Sequence, residues 1–459
     1  MRTLYRFWLP ALLLCLVTLS ANAQSFRVQC PPNTPMHPDP STLPPGALVP
    51  PGAIKCQQIS GGDGFATMGD GHQIFLFGFG PLSGLQDIQN GLPGTQPALT
   101  FNNPVDPNGA ITDPAKIMNT GVLFANAPAP TMAIDEDDEY FLTLTNVGMI
   151  MRPDLFEQHT VHFHGYPNAS SLLDGVPDAS VAINIAGSFT YYYTAPDAGT
   201  YFWHCHITPP EHLQMGMVGQ LYVRPRQNRT TPGVAVAKPA CSNFGSATDI
   251  LCTSPAPNTA ASFTHQLNYK YAYDDGDGST RYDVEYPIQM MGFDPNFHFV
   301  GTTFNPEAFS DMKDKYSMLS GRSYPDTVNP SYISTESSDG VSRPSQPLPT
   351  LITIKKSLGQ TRALLRISDL SVTEFTTLAT IGIPMQVIAL NARLLRDFAG
   401  NNLYYNTNSI TIGGGESVDV ILDATNVPAG TYFLYSTNLD HLSNDKENFG
   451  GMMTEIVIQ

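Results

Sequence analysis

The chain is 459 residues long with a formal net charge of −17, a balance that argues against nucleic acid or an anionic membrane surface as partner. The length allows two or three domains, each with its own core. Only 14% of residues are charged, while 38 are Gly and 39 are Pro, so short strands joined by turns are expected and the fold class reads as all-β.

The first residues, MRTLYRFWLPALLLCLVTLSANAQ, place Arg2 and Arg6 before an apolar stretch from Leu9 to Val17. Ala21-Asn22-Ala23 then supplies small residues for cleavage, so residues 1–23 read as a leader for export to the periplasm or the cell exterior. Residues 24–60 are proline-rich and predict an extended arm. Over 61–225, the runs FLTLTN, VHFHG, SFTYYYTAP, GTYFWHCHI and GQLYV read as strands. Residues 226–259 are rich in Pro, Ser, Thr and Ala and read as a linker, after which strand-like runs fill 260–459. No stretch after the leader is long enough to span a membrane. Two acidic segments stand out. IDEDDEY (Ile134–Tyr140) reads as a charged strand edge, and DDGDGSTRYD (Asp274–Asp283) as a solvated turn that has calcium-like spacing but lacks the rest of a calcium loop.

An internal repeat links the two halves. TAPDAGTYFWHCHI (Thr194–Ile207) aligns with TNVPAGTYFLYSTN (Thr425–Asn438) through AGTYF, so two copies of one sandwich are expected. The alignment sets His204, Cys205 and His206 against Tyr435, Ser436 and Thr437. The second copy therefore has no metal ligands there, and His441 and Met452 are left as relics of a lost loop.

Five cysteines follow the leader, an odd number for an oxidising compartment. Cys30 with Cys56 and Cys241 with Cys252 read as local disulfides, and Cys205 is left over. Six of the eleven histidines surround it in sequence, in HTVHFHG (His159–Gly165) and HCHITPPEHLQMGM (His204–Met217). Side chains alternate faces along a strand, so His162 and His164 share one face and His159 the other. His204 and His206 likewise share a face, with Cys205 pointing away. With the two strands adjacent, His159 and Cys205 meet on the inner side and four histidines gather outside. His212 and Met217 complete the inner set. Two imidazoles, a thiolate and a weak axial thioether are the donors of a blue-copper electron-transfer centre.

The pair HxxHxHG and HCHxxxxxHxxxxM, with DGVP (Asp174–Pro177) and GSFTYYYTAPDAGTYFWHCH, resembles the signature of the multicopper oxidase family. SGRSYPDT, LLRISDLS, IPMQVIAL and GGESVDVIL in the later half are similar to the copper-free middle domain of three-domain members. The resemblance implies two cupredoxin-like Greek-key β-sandwich domains, the first binding copper and the second copper-free. It also implies type 1 copper on His159, Cys205, His212 and Met217, type 2 copper on His162, and a type 3 pair on His164, His204 and His206. Catalytic electron flow would run through Cys205 to His204 and His206. The activity implied is one-electron oxidation of a phenol or metal ion coupled to reduction of dioxygen to water. Two departures qualify the match. The segment between His206 and His212 is two residues longer than the laccase pattern, and a trinuclear site needs eight histidines where the chain offers four. His37, His72, His265, His298 and His441 form no His-x-His pair, so a homo-oligomer or a partner subunit is expected to complete the cluster across an interface. The alternatives are an electron-transfer or copper-binding subunit without oxidase activity, and a copper nitrite reductase, which the histidines at 162 and 206 weigh against.

Overall fold

Long β-branched and aromatic runs punctuated by Gly and Pro leave little of this chain suited to helix, and strands carry both cores. The computed structural model describes residues 28–166, 170–236, 255–258, 263–301, 308–336, 339–346 and 350–459. The leader and the Cys241–Cys252 pairing lie outside the described residues. The first sandwich is built from β1 (Ile54–Thr67), β2 (Gln73–Pro81), β3 (Met132–Asp135), β4 (Glu139–Gly148), β5 (His162–His164), β6 (Ser188–Thr194), β7 (Gly199–His204) and β8 (Val218–Arg224). One sheet runs β2-β1-β4-β6, with β1 and β4 parallel, and the other runs β3-β8-β7-β5, with β3 and β8 parallel.

The second sandwich repeats that order. Tyr316–Leu319, Val284–Phe293, Arg362–Asp369 and Ser417–Asp423 lie side by side in one sheet. The other contains Ile352–Ile354, Met453–Ile458, β9 (Gly430–Ser436) and β10 (Thr376–Ile381); β10 precedes β9 in the chain but lies beyond it in the sheet. The two parallel pairings recur at equivalent places, between Val284–Phe293 and Arg362–Asp369 and between Ile352–Ile354 and Met453–Ile458. The AGTYF repeat thus marks a duplicated topology.

Burial follows the alternation of side chains. In β5, Phe163 points inward and stacks on Tyr193 at a centroid distance of 4.0 Å, which turns His162 and His164 to the opposite face. Trp203 in β7 is fully buried against Phe79, 4.9 Å away, and removing a side chain of this size from water contributes about 1.5–3 kcal/mol. Gly219 opposite it is required, because a Cβ there would lie 2.5 Å from the indole.

The two sandwiches meet through buried polar contacts. Thr200 of β7 donates to Asp419, Ser417 Oγ donates to Thr200 O at 2.7 Å, and Gln220 Nε2 donates to Arg366 O at 2.7 Å. Burial works to raise the Glu285 carboxyl, but Arg224 and Arg366 outweigh it and hold it at about 2.

Several expectations are corrected. β1 begins at Ile54, inside the stretch read as an arm, and the Cys30–Cys56 disulfide ties the arm to it. Ala235–Val236 pairs with Phe263–Thr264, so the stretch read as linker contributes structure. Within the acidic segments Glu136, Asp138, Glu139, Asp274 and Asp275 are buried, and Asp135, Asp137, Asp277 and Asp283 are half-buried. Glu136 accepts from Ala198 N and Arg226 N, and Asp138 from Ala53 N and Asp135 N. Asp275 is fully buried and accepts from Asp277, Gly278 and Thr280 of its own loop and from the Gln227 side chain. In both segments carboxylates satisfy backbone N–H groups that no strand ladder reaches, a role that composition does not distinguish from solvation.

Candidate metal centre

The β5–β7 pairing sets the geometry. His162 lies opposite His204, Phe163 opposite Trp203 and His164 opposite Phe202. The four outward imidazoles cluster: the His162 ring lies 5.2 Å from His204 and 5.1 Å from His206, and His164 Nδ1 lies 3.3 Å from His204 Nε2. Ligand atoms of His162, His164 and His204 all fall within 4.8 Å of one another. Two rings are fixed from behind. His162 Nδ1 donates to Asp174 O at 2.7 Å, which gives the DGVP turn its role, and His204 Nδ1 donates to Cys205 O at 2.8 Å. In each case Nε2 is left to face the cluster. Burial, with the neighbouring imidazoles, holds His204 down at about 3, so its ring is neutral and able to ligate.

The inner set lies on the other side of the strand. Cys205 is fully buried and unpaired. His159, Cys205 and His212 bring their ligand atoms within 4.8 Å of one another, with His212 Nδ1 3.2 Å from the sulfur. The segment after His206 opens with Thr208-Pro209-Pro210, and residues Pro209–Gln214 form a short helix that presents His212. Met217 is buried beside them, held by Cys205 N donating to Met217 O at 3.1 Å and Met217 N donating to His212 O at 2.8 Å. Met215 is equally buried in the core. Thr160 N donates to the Cys205 sulfur at 3.4 Å. Burial alone would raise the Cys205 thiol, but the His212 and His159 imidazoles outweigh it and hold it well below its ordinary value, so the site favours a thiolate.

These donors fit copper. Neither ring nitrogen of fully buried His159 has a hydrogen-bond partner among the described residues, a cost that metal ligation would relieve. The soft thiolate and thioether with two imidazoles match copper better than a hard cation.

One residue near the site escaped the sequence reading. Glu157, two positions before His159, puts Oε2 3.5 Å from His212 Nε2, on the side of the ring away from Cys205. Its signal was a carboxylate at strand parity with the first histidine. An open cleft of about 270 Å³ also separates His164 and His204 from Ser371 and Gly415 of the second sandwich.

Residues 111–228, which contain every residue of both clusters, match the family described as multicopper oxidase. A laccase of Aspergillus fumigatus is 32% identical over 115 residues, covering 24% of this chain and 18% of that protein. A multicopper oxidase of Talaromyces pinophilus gives the same identity and shares. The chain therefore spans under a fifth of the length of these curated relatives. Among solved structures, the blue copper oxidase of Nitrosomonas europaea has a TM-score of 0.54 at 19% identity, covering 88% of this chain and 86% of that one. The multicopper oxidase mgLAC has a TM-score of 0.54 at 17% identity, covering 89% and 87%. At these identities the two structures establish the fold, an all-β pair of cupredoxin-like sandwiches. Residues 111–228 thus form a multicopper oxidase domain.

Proposed function

We propose that the chain is a copper-dependent oxidase that oxidises a phenolic or metal-ion reductant one electron at a time and reduces dioxygen to water. In this reading His159, Cys205, His212 and Met217 hold a mononuclear type 1 copper. His162 serves type 2 copper and His164, His204 and His206 the type 3 pair, as half of a trinuclear site completed by a second copy or a partner subunit. Copper held in this way supplies one-electron redox chemistry. The observation that carries the reading is the placement of two donor sets on opposite faces of one strand, joined by the peptide bonds from Cys205 to His204 and His206. Electron transfer between two such sets needs a short covalent path of this kind.

The chain's own residues have distinct tasks. Cys205 N donates to Met217 O, and the thiolate is sealed from water by its burial. Asp174 O and Cys205 O hold the Nδ1 protons of His162 and His204, fixing which nitrogen faces the cluster. Glu157, partly exposed, stands between His212 Nε2 and solvent, where it orients a reductant and accepts a proton from a phenol. The disulfide at Cys30–Cys56 supports an oxidising compartment, periplasmic or extracellular. Among the described residues no helix is long and apolar enough to cross a membrane.

A carrier subunit without oxidase activity is the second reading, favoured by the presence of four outward histidines where a full cluster uses eight. Copper counting, spin-resonance spectra and oxygen uptake on protein of measured oligomeric state separate the two. The oxidase reading expects mononuclear copper in every chain plus a shared cluster in an oligomer that consumes oxygen. A blue oligomer holding only mononuclear copper and consuming no oxygen would overturn it.

A further inference from the structure

The second sandwich carries a group of side chains that the proposed chemistry does not use. Ser436 ends β9 and is fully buried, and its Oγ lies 3.2 Å from His441 Nδ1. In the first sandwich His212 Nδ1 lies 3.2 Å from Cys205 Sγ. The outward nitrogen of His441 meets Glu374 Oε2 at 2.8 Å, as that of His212 meets Glu157 Oε2 at 3.5 Å.

The backbone repeats as closely. Ser436 N donates to Met452 O at 2.9 Å, where Cys205 N donates to Met217 O at 3.1 Å. Met452 N donates to His441 O at 2.7 Å, where Met217 N donates to His212 O at 2.8 Å. Met452 is as buried as Met217. Strand register supplies the remaining position. Ala379 pairs with Tyr435 as His162 pairs with His204, so counting back three residues sets buried Thr376 in the place of His159, and counting back five sets Glu374 in the place of Glu157.

The geometry points to a second blue-copper frame in this chain, complete in backbone, in one imidazole, in the thioether and in the outward carboxylate, and disarmed at Thr376 and Ser436. A hydroxyl in place of the thiolate removes the soft anionic donor, and a threonine in place of the second imidazole removes a strong one. The retained Ser436–His441–Glu374 chain does not constitute a hydrolytic site, because Ser436 is sealed inside the sandwich. The ligand class that the frame would take is a copper ion: restoring the thiolate suffices to bind it, and restoring the second imidazole tightens the binding.

This inference rests on the assignment of copper to the first sandwich, and the test separates the two. In a Cys205→Ser background, which lacks the first thiolate, the substitutions Thr376→His and Ser436→Cys are introduced together and the folded protein is loaded with copper. We expect a gain of one copper per chain over the background and an intense thiolate-to-copper band in the visible spectrum. A folded double variant with the background's copper content and no band would overturn the inference. If the double variant does not fold, Ser436→Cys alone in the same background decides: it exchanges one atom, and it should show a copper–thiolate band that the background lacks. Its failure to do so would equally overturn the inference. The band of the unsubstituted chain reports on Cys205 independently, so failure of the first assignment is read from a different sample.

Discussion

The two sandwiches share strand order, parallel pairings, a left-handed glycine after one strand and a loop that returns a methionine under the end of another, yet they present different chemistry. In the first, Cys205 sits between His159 and His212, and the opposite face of the same strands carries four imidazoles. In the second, Ser436 sits beside His441 with Thr376 in the remaining place, and the opposite face carries Ala379, Ile381, Tyr435 and Thr437. Frame and donors are therefore separable. Hydrogen bonds from residue 205 or 436 to the methionine carbonyl, and from the methionine to the histidine carbonyl, are properties of the loop and survive the loss of the metal set. What distinguishes a set of soft and imidazole donors from a packed strand end is a handful of side chains.

The difference can be broken most severely at Cys205. Cys205→Ser makes the first site resemble the second, and the thiolate-to-copper band and electron transfer should both vanish, as read by visible absorption and by oxygen uptake. Next comes the outer face. His204→Ala, which gives the first sandwich the ligand-free face of the second, should abolish oxygen uptake while the band persists in loaded protein. A smaller effect is expected at the outward carboxylates. Glu157→Gln should lower oxidase turnover about 10–100-fold, the usual cost of losing a residue that orients a ligand, whereas Glu374→Gln should leave turnover unchanged. Gly219→Ala should destabilise the chain by about 1–3 kcal/mol in denaturant unfolding, because the new Cβ would press on Trp203.

The smallest effect is one of pH. Burial raises Asp63, Asp138 and Asp314 to about 6 and Asp369 to about 7. The unfolded chain releases these protons near pH 4, whereas the folded chain retains them. Their contribution to stability is therefore complete below about pH 4 and is lost as pH rises to about 7. A melting temperature that declines over this window, with the decline reduced in Asp369→Asn, is the expected outcome.

Much of the site was legible because strand parity is a strong constraint. HxxHxHG and HCH admit only one partition into inner and outer donors once the strands are neighbours, and β5 and β7 are. The duplication was legible from AGTYF. The carboxylates at Glu157 and Glu374 were not, since their meaning lies in a contact across the loop. A trace existed, however: EQHTVHFHG and EFTTLATIG share Glu, Thr and Gly at the same spacing, and Gly165 and Gly382 both take a left-handed φ, 68° and 84°. The burial of the acidic segments is hidden in the sequence for a related reason. A carboxylate that caps a buried turn and one that faces water look alike in sequence, and only the surrounding N–H groups decide between them.

Whether the first sandwich alone is armed is decided by titrating copper into the metal-free chain while recording the visible spectrum, with Cys205→Ser protein as control. An intense band should grow in, saturate at one mononuclear copper per chain and be absent from the control. A chain that gains no band, or a band that survives in the control, would contradict this expectation.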